Sequence, residues 1–168
     1  MFRAFRFLRV LRLENVLLFR SLSYSFSDFF KGFEDIEAVK RIFGEKTREV
    51  LSSLKVDFTM FGGYMGVNPF NGHLMCNPRY LNSGDRLDIY LDLIHELVHI
   101  RQRMEGAELF DANYGYVDRP TEIEAYRYAV EEARRLGRSE ERICDYLKTE
   151  WMSDDDFKQL TKTLNVKC

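Results

Sequence analysis

Five consecutive residues, His95-Glu96-Leu97-Val98-His99, spell H-E-x-x-H. On a helix, positions i and i+4 share a face, so both imidazoles can grip one divalent ion. Glu96 sits beside them, within reach of a water on that ion. A cation, a nucleophile and a base are thus encoded together. His95 and His99 are two of only three histidines in the chain, the other being His73, which makes coincidence a poor account of the pattern.

A catalytic zinc usually has three protein ligands and one open position. The candidates for the third are His73, Asp111, Asp118, Glu122 and Glu124. Helical spacing selects among them. Glu122, Ala125, Tyr126, Ala129, Ala133 and Leu136 fall on one stripe, small and apolar apart from the glutamate. Such a stripe suits close packing on another helix, and a carboxylate buried there needs a strong partner. Glu124 points elsewhere, with Tyr128, Glu131 and Arg135, and Thr121-x-x-Glu124 reads as a capping box. Glu122 is therefore the expected ligand and Glu124 the expected cap. Lone His73 in a hairpin reads as a surface or packing residue. In this scheme Glu96 takes a proton from the attacking water and returns it to a leaving amine. Tyr116, Tyr114 and Arg119, in the loop before Glu122, are candidate donors to the oxyanion, with Tyr116 put forward. Cys168 ends the chain, and its thiolate could fill the fourth position on the ion and hold the site latent. The plainer reading of Cys168 is a dangling or docked tail.

The elements that must hold these residues follow from periodicity and punctuation. Residues 85–104 read as the helix that bears the motif, capped by Ser83 or Asp85 and closed by Gly106. A second helix, 122–136, opens at Pro120-Thr121. Shorter helices are expected over 34–43, over 45–54, from Ser139 toward Trp151, and after Ser153. Residues 56–61 have β character, and 64–68 and 73–77 form a hairpin about Asn71-Gly72. A peptide could add as a strand to the hairpin edge near 73–77. Residues 108–119 make a loop longer than a connection needs. Residues 1–33 read as an arm of unclear role. Its Arg3, Arg6, Arg9 and Arg12 do not resolve to one face, which favours an ordinary element over one that touches a membrane.

The chain has 168 residues, enough for one domain over 34–168. Its net charge of −2 lacks the basic footprint of a nucleic-acid binder. No apolar run approaches a membrane span. Three scattered cysteines do not suggest a disulfide framework, and a reducing, cytoplasmic setting is the simplest expectation. Glutamine occurs only at 102 and 159 while Glu, Lys and Arg are abundant, a weak thermophile signature.

With His95, Glu96, His99 and Glu122 in place, the chain resembles the gluzincins, zinc peptidases with H-E-x-x-H and a downstream glutamate. Glu122-x-x-Ala125 resembles the E-x-x-A-D pattern of the integral-membrane CAAX-prenyl and heat-shock zinc peptidases, with Tyr126 where those have aspartate. It is more similar to the soluble minigluzincins, through HELVHIRQ (95–102) and YVDRPTEIEAYRYA (116–129), over roughly residues 45–155. The resemblance implies an α+β fold, a small antiparallel sheet of about three strands with packed helices, and one catalytic Zn2+ between two helices. It also implies a peptide or protein substrate and a zymogen-like state, with the C-terminal helices covering the site. Pairing of two copies through terminal segments is a further expectation. The rival expectation is a non-enzymatic zinc-binding interaction or regulatory module. A glutamate base beside the ligands is unnecessary in a structural site and favours the enzyme.

Overall fold

Asn71-Gly72 turns the chain as its composition demands. Gly72 takes φ 75°, and Asn68 caps the turn, its carbonyl accepting from Gly72 and its side chain from Phe70. The flanking strands pair antiparallel, Met65 opposite Cys76 and Val67 opposite Leu74. In the computed structural model, which describes residues 23–60 and 63–168, these are β3 (Met65–Val67) and β4 (Leu74–Cys76). The arginine-bearing residues 1–22 lie outside the described residues.

The sheet departs from expectation in two ways. It has four strands, β1 (Ser23–Ser25) and β2 (Lys55–Phe58) joining the hairpin in the order β1-β2-β4-β3. It is also mixed, because β2 runs parallel to β4 while β1 is antiparallel to β2. Strand β4 is therefore internal, and the free edge beside the motif helix belongs to β3, not to 73–77. β1 comes from the segment expected to be an arm. So does α1 (Phe26–Phe29), and the folded unit begins well before residue 34. Phe26, Phe30 and Phe33 are buried and touch ring to ring at 4.9–6.0 Å, and Phe33 reaches Tyr90. Three aromatics spaced 4 and 3 apart bury too much apolar surface to stay in solvent.

Helices α2 (Glu37–Phe43) and α3 (Thr47–Ser53) follow, divided by Gly44 at φ 59°. A short α4 (Pro78–Ser83) is capped by Asn77, which accepts from Arg79. α5 (Arg86–Met104) is the axis of the molecule. The Asp85 carboxylate accepts from the N–H groups of Leu87 and Asp88, and Gly106 closes the far end at φ 83°. From Ile89 to Ile100 every residue but Asp92 is buried, because α2, β3 and α6 enclose the helix.

α6 (Pro120–Arg135) lays Ala125, Ala129 and Ala133, all fully buried, along α5. It begins earlier than expected. Pro120 has φ fixed and no N–H to lose, so it takes the first turn and Arg119 the cap position. Thr121 is thereby inside the helix and the capping box does not form. Glu124 instead pairs with Arg101 at 2.7 Å and accepts from Gln102 at 2.8 Å. α7 (Glu140–Leu147), capped by Ser139, stops short of Trp151. α8 (Asp154–Thr163), capped by Ser153, carries three aspartates in its first turn, where they oppose the helix dipole. No described helix is long and apolar enough to cross a membrane.

Candidate metal centre

Packing of α6 on α5 brings Glu122 to the two histidines across a gap of 23 residues in sequence from His99. His95 Nε2 and His99 Nε2 stand 3.0 Å apart, and Glu122 Oε2 is 3.3 Å from the first and 3.4 Å from the second. Ligands about 2.0 Å from a tetrahedral ion are separated by about 3.3 Å. The three atoms thus outline one face of such a tetrahedron. All three side chains are buried, and among the described residues this is the one group of His, Cys, Asp or Glu close enough to share an ion.

Charge couples the buried side chains. Among the described residues no donor makes a well-aligned hydrogen bond to the buried Glu122 Oε2. Burial disfavours its charge, yet the two imidazoles hold its pKa well below the carboxylate range. Burial likewise disfavours a charged His99, but the carboxylates of Glu122 and Glu96 raise it to about 9. His95 is pushed down by burial. Glu96, buried beside them, is raised to about 8, by burial first and then by the Glu122 and Asp92 charges.

One contact orients the site from behind. His99 Nδ1 lies 2.7 Å from Gln102 Oε1. The Gln102 amide nitrogen donates to the Thr121 carbonyl at 3.0 Å and to Glu124 at 2.8 Å. Those two acceptors settle which way the amide points, so Oε1 must face the ring. When neutral, His99 then carries its proton on Nδ1 and turns the Nε2 lone pair toward the centre. Gln102 was within sight of sequence reasoning, one helical turn past His99. His95 Nδ1 has no hydrogen-bond partner among the described residues, and the Tyr126 ring packs edge-on against His95 with centroids 4.4 Å apart. The Tyr126 hydroxyl meets that of Tyr116 at 3.0 Å.

Tyr116 thereby lines the cleft, while Tyr114 is half exposed on the loop and Arg119 lies 3.8 Å from Glu122. The other ligand candidates are engaged elsewhere. His73 pairs with Asp57 at 2.9 Å, Asp118 accepts from Gln159, and Asp111 caps its own turn through Asn113. Cys168 is not part of that cluster. It is disulfide-bonded to Cys144 on α7, which corrects both its expected role as a latency ligand and the expectation of unpaired cysteines. Cysteine usage therefore no longer argues for a reducing compartment. Only Cys76 is free, and it is buried, with its thiol pushed up by that burial.

The cleft has two chambers that share Met65, His95, Glu96 and Tyr116. The smaller, about 450 Å³, lies on the His99 side between β3 and Leu109-Phe110. The larger, about 960 Å³, opens toward the start of α5 and is walled by α4, the end of α7 and Trp151. In its wall Asp92 accepts from Tyr80 at 2.5 Å and Tyr146 at 3.1 Å. Burial raises the Asp92 carboxyl to about 6 against those two bonds. Asp92 sits one turn before Glu96 and was legible as an acid on the motif face; Tyr80 and Tyr146 were not, because only the fold brings them there. No family model matches this chain, and neither a curated protein nor a solved structure matches it.

Proposed function

We propose that the chain is a zinc-dependent peptidase. The observation that carries the reading is the buried His95–His99–Glu122 cluster facing a cleft in which Glu96, nine-tenths buried, has no hydrogen-bond partner among the described residues. Burial raises the Glu96 carboxyl to about 8, which makes its ionised form a stronger base, and service as that base explains a carboxyl kept there. The three protein ligands leave a fourth position to the cleft, where a structural site would close all four.

A bound zinc ion would lower the pKa of a water to about 7 and polarise the substrate carbonyl. Glu96 accepts the proton of the attacking water and delivers it to the leaving amine. Gln102 keeps the His99 tautomer that presents Nε2. Tyr116, held by the Tyr126 hydroxyl, donates to the oxyanion as it develops. The substrate backbone adds to the free edge of β3. The rival reading, a zinc-binding module without activity, retains the cluster but gives Glu96 no task.

The test is Glu96→Gln, with metal content by elemental analysis and hydrolysis of an unfolded protein substrate. The variant should keep one ion per chain and lose at least about 10²-fold in rate. Full activity in Glu96→Gln, or no zinc in the wild-type chain, defeats the proposal.

A further inference from the structure

We infer that the cleft takes peptides in one direction, with an apolar side chain before the scissile bond and an arginine side chain after it. This deepens the peptidase reading and rests on it.

The direction follows from the β3 edge. The Tyr64 carbonyl accepts from Asn77, and the Asn68 N–H donates to the His73 carbonyl. Strand alternation then turns the backbone groups of Met65 and Val67 away from β4, to the free edge. β3 also runs from one chamber to the other, since Gly63 and Tyr64 line the larger, Val67 and Pro69 the smaller, and Met65 both. Antiparallel pairing is the more stable mode. A peptide added that way enters through the smaller chamber and leaves through the larger, with its scissile carbonyl at the cluster between them.

The chambers differ in chemistry. The smaller is lined by Met65, Val67, Pro69, Met75, Leu109 and Phe110, and accepts a side chain the size of leucine. Of the six carboxyls on the walls of the larger, Glu96 belongs to the cluster, Asp92 is held by two tyrosines, and Asp85 and Asp88 are paired with Arg142; Asp145 and Glu150 remain, against Arg79 and Lys148. Among the described residues no cation pairs with Asp145 or Glu150. Independently of charge, the same chamber has an aromatic wall. Tyr80 stacks on Tyr64 at 4.4 Å, and Tyr64 meets Trp151 at 5.4 Å. Trp151 is 56% exposed. A planar guanidinium satisfies both features, stacking on the rings while its N–H groups reach the carboxylates.

Trp151 is the only tryptophan of the chain and so reports on this chamber. The zinc-loaded Glu96→Gln chain is titrated with Ac-Ala-Leu-Arg-Ala-NH2 and with the reversed Ac-Ala-Arg-Leu-Ala-NH2 while Trp151 emission is followed; wild-type cleavage of both is measured beside it. The Leu-Arg order should bind and be cut at least about tenfold better. Replacing Asp145→Asn and Glu150→Gln together should remove most of that preference. Affinity for the peptide with norleucine in place of arginine should not change. Equal use of both orders, preference for the reverse, or no binding of either overturns the inference. If the preferred peptide binds and is never cut, the peptidase reading fails and the cleft assignment stands.

Discussion

At the scale of residues, the centre depends on groups that hold the histidines as much as on the histidines. Gln102 is the clearest case, because its amide is fixed by two acceptors and can present only oxygen to His99. Gln102→Ala should weaken zinc binding about 10–100-fold, read by competition with a chromogenic chelator, with the far-ultraviolet circular dichroism unchanged. Unaltered affinity would mean that the ring is oriented by its helix alone. Tyr116→Phe should leave metal content intact and lower kcat by about 10²-fold. A loss confined to KM would make Tyr116 a wall of the cleft and not a donor. The Tyr126 ring covers His95 and its hydroxyl meets that of Tyr116.

At the scale of elements, α5 and α6 must approach closely for Glu122 to reach two rings on the neighbouring helix. The three buried alanines permit that approach. Ala129→Leu should force the helices apart, cost about 1–3 kcal/mol in urea unfolding and weaken zinc binding at the same time. Asp85 holds the other end of α5. Burial works against its charge, but the N–H groups of Asp88 and Leu87 and the Arg142 guanidinium outweigh it and lower its pKa. A carboxyl depressed in the folded state stabilises above its unfolded pKa and loses that contribution as pH falls through the folded value. Asp85→Ala should therefore cost about 1 kcal/mol at neutral pH and much less in acid, where the wild-type cap is itself protonated. A penalty constant across pH would place the effect in packing. Helix boundaries were legible where a capping side chain marks them, as at Asp85, Ser139 and Ser153. They were misjudged at Thr121, where proline at the preceding position had already started the helix.

At the scale of the molecule, the C-terminal tail is fastened to the body at several points. Cys168 is bonded to Cys144, Arg134 donates to the Asn165 carbonyl, and Glu140 accepts from the Lys167 N–H and from Arg134. The disulfide closes a loop with a sequence separation of 24, and a crosslink of that span is worth about 3 kcal/mol through the unfolded chain. Replacing Cys144→Ser and Cys168→Ser together should lower stability by about that amount in non-reducing buffer, while the wild type in dithiothreitol should match the double variant. Glu140 adds a pH dependence. Its bonds to Arg134 and to the Lys167 N–H lower its carboxyl to about 2. Its hold on the tail is complete above the ordinary glutamate pKa and is lost as pH falls through about 2. In the disulfide-free variant, amide exchange at residues 165–168 should rise over that interval, and no rise should appear in Glu140→Gln.

The sequence by itself marked the three residues that cluster. Helical period is a local property, so His95, His99 and the apolar stripe bearing Glu122 could be read without knowing where anything else lies. The same is true of Gly72, Gly44 and Gly106, whose positive φ angles are local demands of the backbone. Tertiary structure decided what is non-local. It made β4 internal and β3 the edge, drew Phe26, Phe30 and Phe33 into the core, paired Cys144 with Cys168, and set Tyr80 and Tyr146 on Asp92. Each of these joins segments whose meeting depends on how every intervening element packs, and no spacing along the chain records that.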